Sequence, residues 1–132
     1  MNIGQLSRAT GIPIDTVRYY EKQRLLPPPG RTASGYRQYQ AGDVLRLNFI
    51  RRAKALGFTL EEIRELLALS GSREDDMAGL KAAAADKLAD VERRLAELAR
   101  MRDGLRQLVD ACPGHGALAQ CPILTALGGE TA

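Results

Sequence analysis

The chain has 132 residues, 45% of them hydrophobic and 27% charged, and a net charge of +3; this length supports one modest core but not a catalytic domain plus a separate regulatory one, and the composition excludes a wholly disordered chain. No run of about 18 uncharged apolar residues exists to cross a bilayer, and the opening MNIGQLSRAT lacks a signal peptide's apolar stretch, so a cytoplasmic protein with no membrane partner is expected. The charge is uneven: residues 1–56 carry ten Arg or Lys against Asp15, Glu21 and Asp43, a net +7, while residues 57–132 carry nine against thirteen acids, a net −4. A basic first half suits double-stranded DNA, because each neutralised phosphate releases counterions.

Ile3, Leu6 and Ala9 share one helical face before Gly11, which predicts a short first helix. A second follows after Pro13, a residue tolerated in a first turn, with Ile14 and Val17 three apart. Helix, glycine turn, helix is the helix-turn-helix pattern, whose second member enters the major groove; Thr16, Arg18, Tyr19 and Tyr20 are expected to face DNA. Pro27-Pro28-Pro29-Gly30 cannot continue a helix, and two short extended pieces around Ser34-Gly35 read as a β-hairpin wing. Arg31, Tyr36 and Arg37 flank its turn, where guanidinium groups pair with phosphates and a ring packs on sugar.

Asp43 reads as the N-cap of a third helix closing at Gly57. Thr59 starts a fourth, with Glu62 completing a capping box, and this helix runs to about Leu69. The last long helix is expected from near Arg73 to about Ala111. Met77, Ala84, Val91, Leu98, Leu105 and Cys112 recur in steps of seven, with Leu88, Leu95 and Val109 as a companion row. That is a coiled-coil seam, and so short a chain holds no partner for a helix of about 55 Å at 1.5 Å per residue. A homodimer is expected.

Cys112 and Cys121 bound a glycine-rich loop, after which Pro122–Leu127 reads as a small lid helix. A reducing cytoplasm disfavours a disulfide, which leaves metal or redox chemistry. A thiol oxidoreductase needs a C-x-x-C pair or a base beside a nucleophile, and neither is present, so no enzyme is expected. Paired thiolates are soft ligands suited to Cu(I), Zn(II), Cd(II) or Hg(II).

Ile3-Gly4-Gln5-Leu6, the string from Thr16 to Glu21, Leu25-Leu26-Pro27, Ser34-Gly35-Tyr36-Arg37-Gln38-Tyr39, Leu56-Gly57-Phe58-Thr59-Leu60-Glu61-Glu62-Ile63, Cys112-Pro113-Gly114 and Cys121-Pro122-Ile123-Leu124 together resemble the MerR family, in its metal-responsive branch. The resemblance covers nearly the whole chain. It implies a mainly α protein with a winged helix-turn-helix over residues 1–70, a long antiparallel coiled-coil dimerisation helix over 73–111, and a short metal-binding loop and tail over 112–132. It also implies a DNA-bound homodimer that activates a metal-resistance promoter for bacterial RNA polymerase by distorting an over-long spacer when its effector binds. By position, Thr16, Arg18, Tyr19 and Tyr20 carry over to the recognition helix, Arg31, Gly35, Tyr36 and Arg37 to the wing, and Cys112 and Cys121 to the metal.

The metal is read from the donor set. Copper-sensing members of the family usually have seven residues between the cysteines and Ser at the position of Met77; zinc, lead and mercury sensors often have eight, and Cys there. This chain has eight intervening residues and Met77, and so matches neither. A divalent site wants about four ligands, for which His115 and Asp75 or Asp76 of a partner are candidates, but no third thiolate exists. Two thiolates with at most a thioether favour Cu(I), with Ag(I) and Au(I) as mimics, over Zn(II), Cd(II), Hg(II) or Pb(II); a two-cysteine redox switch is the alternative. Met77 and Cys112 share a seam position about 52 Å apart along one helix at 1.5 Å per residue, so only the partner of an antiparallel pair can join them.

Overall fold

The computed structural model of the chain describes residues 1–71 and 77–128, with Arg37 described by its backbone alone. The expected helix start at Arg73, and Asp75 and Asp76, lie outside the described residues. Among the described residues, six helices and one hairpin follow in the order α1 (Ile3–Thr10), α2 (Ile14–Lys22), β1 (Gly30–Arg31), β2 (Arg37–Gln38), α3 (Ala41–Ala55), α4 (Leu60–Ser70), α5 (Met77–Ala111) and α6 (Pro122–Gly128), with a 3-10 turn at Leu118–Gln120. The mainly α winged architecture expected from the sequence is the one observed. The chain forms two compact units, one spanning Met1–Lys87 and one beginning at Leu88.

In the first unit, α1 opens with a reciprocal cap: the Gln5 N–H donates to Asn2 Oδ1 and the Asn2 N–H to Gln5 Oε1, both at 2.8 Å. It ends where Gly11 adopts φ +73° and its N–H reaches the Ser7 oxygen at 2.8 Å, a left-handed conformation that glycine takes without a Cβ penalty. The wing is short: Gly30 pairs with Gln38 and Arg31 with Arg37 in antiparallel register, around a turn in which Gly35 has φ +86°. Asp43 is not the N-cap of α3. Gln40 holds that position, and Asp43, three residues on, accepts the Gln40 N–H at 2.9 Å. An acid at the N-cap accepts an N–H from the first turn, whereas an acid at the third helical position reaches back to the N–H of the cap residue, so both placements put an acid near a helix start. The Thr59–Glu62 box expected at α4 is present, with bonds of 2.8 and 3.1 Å.

The core is built from one face of each helix: Leu6 of α1, Val17 and Tyr20 of α2, Leu47 and Ile50 of α3, Ile63 and Leu66 of α4, with Leu25, Leu26 and Tyr39 from the connections. Each fully buried Leu or Ile contributes about 1.5–3 kcal/mol. Two arginines close the connection after α2: Arg46 Nε donates to the Leu25 oxygen at 2.6 Å and Arg64 Nη2 to the Gln23 oxygen at 2.5 Å. Leu80 and Ala83 of α5 pack on this core, and Lys87 is buried.

In the second unit the apolar row of α5 is open. Leu88, Leu95, Leu98, Leu105 and Val109 are each more than half exposed. Exposed leucines repeating along one helix face are the surface that the seam pattern assigns to a second helix.

Candidate nucleic-acid interface and thiol loop

The face of α2 follows from its period. Val17 and Tyr20, three residues apart, point inward, which leaves Arg18 and Tyr19 exposed and Thr16 half-buried. Tyr20 is therefore a correction to the expectation that it faces DNA. Its ring is only 6% exposed and belongs to the core, and that burial, with a smaller effect from Tyr19, pushes its phenol above the ordinary range. Consecutive helical residues lie about 100° apart, so two neighbouring tyrosines cannot share one face, and the one in register with Val17 is taken inside.

On the wing, Arg31 and Tyr36 are exposed, and Arg31 Nη1 donates to the Gly35 oxygen at 3.1 Å across the turn. Arg37 sits opposite Arg31 in the ladder, its side chain outside the described atoms. Lys22 and Arg24 were missed in the sequence. With Arg18, Glu21, Leu26, Pro27 and Pro28 they line a hollow of about 560 Å³ beside the exposed face of α2. The i, i+4 spacing of Arg18 and Lys22 was the available signal. Arg24 carries none, because it enters through φ +60° in the turn after α2. There the Leu25 N–H reaches the Tyr20 oxygen at 2.9 Å and the Arg24 N–H the Glu21 oxygen at 3.0 Å, a Schellman turn with arginine where glycine is usual.

The second candidate site is the loop from Cys112 to Cys121. It leaves α5 with the Cys112 N–H bonded to the Val109 oxygen at 3.3 Å, turns through Gly114 at φ +82° and Gly116 at φ +110°, and closes on the Leu118–Gln120 turn, where the Cys121 N–H donates to the Leu118 oxygen at 3.0 Å. The two positive-φ glycines let the chain reverse within a few residues. Both cysteines are half-buried free thiols. Cys121 lies at the start of α6, where the backbone N–H groups of Leu124 and Ile123, and the Cys112 thiol, hold its pKa below the ordinary thiol range despite some desolvation. Both cysteines line one hollow of about 270 Å³, and one of them is biased toward the thiolate that soft metals require.

His115 is exposed, with Nδ1 3.2 Å from the Pro113 oxygen of its own loop. Among the described residues no three His, Cys, Asp or Glu side chains converge. The loop alone therefore fits a low-coordinate soft ion and does not complete a four-ligand site. Met77, the first residue of α5, is 83% exposed.

Comparison with known proteins identifies the family. The family model "MerR HTH family regulatory protein" matches residues 1–70, and "MerR, DNA binding" matches residues 44–108. The regulator CueR of Yersinia pestis is 41% identical over 98% of this chain and 92% of its own length. The regulator HmrR of Sinorhizobium medicae is 44% identical over 94% of this chain and 84% of its own. Among solved structures, PbrR691 of Ralstonia metallidurans in complex with lead(II) superposes with a TM-score of 0.85 at 35% identity, covering 96% of this chain and 98% of that one.

Proposed function

The chain belongs to the MerR family of helix-turn-helix regulators, and on that premise we propose that it is a dimeric, metal-responsive transcription regulator that binds promoter DNA through α2 and the wing and senses a thiophilic ion at Cys112 and Cys121. The observation that carries this reading is the placing of both thiols around one hollow in a loop beyond a helix of 35 residues whose leucine row is open. Residues 1–70 bind DNA, 73–111 dimerise, and 112–132 form the sensor and tail. Arg18, Tyr19, Thr16, Arg31, Gly35, Tyr36 and Arg37 supply the DNA contacts, with Lys22 and Arg24 at their edge. The protein acts in the cytoplasm, and RNA polymerase at the same promoter reads the change in spacer DNA.

Cys112 and Cys121 would hold the ion, which would supply a soft Lewis-acid centre for their sulfurs. Cys121, held toward the thiolate by the backbone N–H groups of α6, is the readier of the two to give up its proton. Cu(I), with Ag(I) and Au(I) as mimics, fits a two-thiolate donor set without a third ligand. A second reading, a divalent sensor for Zn(II), Cd(II), Hg(II) or Pb(II), is favoured by the eight-residue spacing of the cysteines and by the lead(II) complex of PbrR691. It requires ligands from a second chain.

The test starts from operator fragments selected by binding to the reduced protein. A promoter carrying them drives a reporter in the presence of Cu(I), Ag(I), Zn(II), Cd(II), Hg(II) or Pb(II), while metal stoichiometry is measured on purified reduced protein. Induction by one ion class with stoichiometric binding is expected. Induction by oxidant without any metal response would replace the metal reading with the redox one.

A further inference from the structure

Lys87 is a buried charge that neither the DNA-facing surface nor the thiol loop uses. It is 7% exposed, its Nζ lies 2.8 Å from Glu62 Oε1, and the same ammonium stands 5.7 Å from the centre of the Phe58 ring. Glu62 Oε1 already accepts the Thr59 N–H at 2.8 Å, so Lys87 grips the carboxylate that caps α4. Beyond that cap, Ile63 and Leu66 of α4 sit in the core with Val17 and Tyr20 of the recognition helix α2, and Arg64 holds the end of α2 through the Gln23 oxygen. Leu80, Ala83 and Lys87 recur at helical spacing on the face of α5 that packs into this unit, and Lys87 is its last residue.

We propose that Lys87 is a positioning residue for induction: its bond to the Glu62 cap and its place over Phe58 join α5 to α4, so that a shift of α5 is transmitted to the recognition helix. The physical ground is that an ion pair between a buried ammonium and a half-exposed carboxylate is directional. An apolar contact between two helices tolerates sliding, whereas an ammonium on a largely buried side chain that bonds a carboxylate at 2.8 Å loses that bond when its helix shifts. With Glu62 42% exposed, water screens the pair, so its net contribution to stability is small beside the directionality it imposes. The transmission rests on the regulator reading given above.

The test uses the full-length dimer and a reporter, with Cu(I), Zn(II), Cd(II), Hg(II) and Pb(II) added in turn. Lys87→Met keeps the stem over Phe58 and removes the charge; Lys87→Arg keeps the charge; Glu62→Gln removes the partner's charge while keeping a capping acceptor. Operator affinity, metal affinity and thermal midpoint are measured beside induction. For Lys87→Met and Glu62→Gln we expect induction to fall about tenfold, the size of a typical coupling between sites, with operator and metal affinities within about threefold of wild type, which is under about 1 kcal/mol. Lys87→Arg should recover most of the induction. Full induction in both charge-removing variants overturns the proposal. So does loss of induction that tracks loss of operator binding or folding in both, which makes the pair structural. A wild type that no metal induces overturns the regulator reading, and this coupling with it.

Discussion

Arg64 of α4 donates from Nη2 to the backbone oxygen of Gln23, the residue that ends α2, at 2.5 Å, while its Nη1 bonds Glu61 at 2.7 Å. One side chain thus ties the end of the recognition helix to a neighbouring helix. Arg64→Met should lower the stability of the Met1–Lys87 unit by about 1 kcal/mol, the scale of a partly exposed charge-assisted hydrogen bond. A urea midpoint equal to that of wild type would show that water replaces the guanidinium without cost.

Arg24 in the left-handed region makes the opposite prediction. Arg24→Gly removes the Cβ strain of φ +60° and should raise stability by about 1 kcal/mol. The same change removes a positive charge beside Arg18 and Lys22, so operator binding should weaken and its salt dependence become shallower. A destabilised variant contradicts the strain argument.

Arg18 and Tyr20, two residues apart on α2, should part company under mutation. Arg18→Ala is expected to weaken operator binding by about 1–3 kcal/mol with the dimer intact, and Arg37→Ala likewise. Tyr20→Ala should cost about 3–5 kcal/mol of stability, as removal of a buried ring does, whereas Tyr20→Phe folds and binds DNA. Gel shifts and denaturation on the four variants decide it; weak DNA binding by a well-folded Tyr20→Phe would return Tyr20 to the interface.

Cys112→Ser and Cys121→Ser should each abolish the metal response and spare operator binding. Met77→Cys offers a third thiolate from the start of α5 and should move the response toward Zn(II), Cd(II) or Hg(II), while Met77→Ser keeps Cu(I) sensing. This assumes the antiparallel dimer, in which the start of one α5 meets the end of the other. The same metal ranking in wild type and Met77→Cys rules out a Met77 role in metal choice.

Glu62 titrates below the ordinary carboxylate range because Lys87 bonds it and the Thr59 N–H reinforces the charge. The lowered folded pKa means that the unfolded chain takes up the proton first as pH falls. The contribution is complete above the unfolded value, about 4.3, and is lost as pH drops through the lower folded value. The stability gap between wild type and Glu62→Gln should therefore narrow between about pH 5 and 3. Parallel stability curves over that window would mean that the charge of Glu62 does not contribute.

Much of this protein was legible before any coordinates. Helix positions followed from the spacing of Ile3 and Leu6, of Ile14 and Val17, and from the Thr59–Glu62 box, because period and capping act between residues a few positions apart. The wing followed from Ser34-Gly35, since a turn needs only local backbone freedom. The leucine row of α5 and the pair Cys112 and Cys121 could be read for the same reason. The same period separates Tyr19 from Tyr20, since Tyr20 stands three residues after Val17 and joins the core cluster that holds Val17 and Leu47. What tertiary structure alone decided lies elsewhere. Asp43 reads as a cap in the sequence, and the structure places it three residues inside α3, accepting the N–H of Gln40. Lys87 reads as a solvated position in a charged helix until Glu62 and Phe58, 25 and 29 residues earlier, are folded against it. Burial depends on partners distant in sequence, and a local pattern carries no record of them.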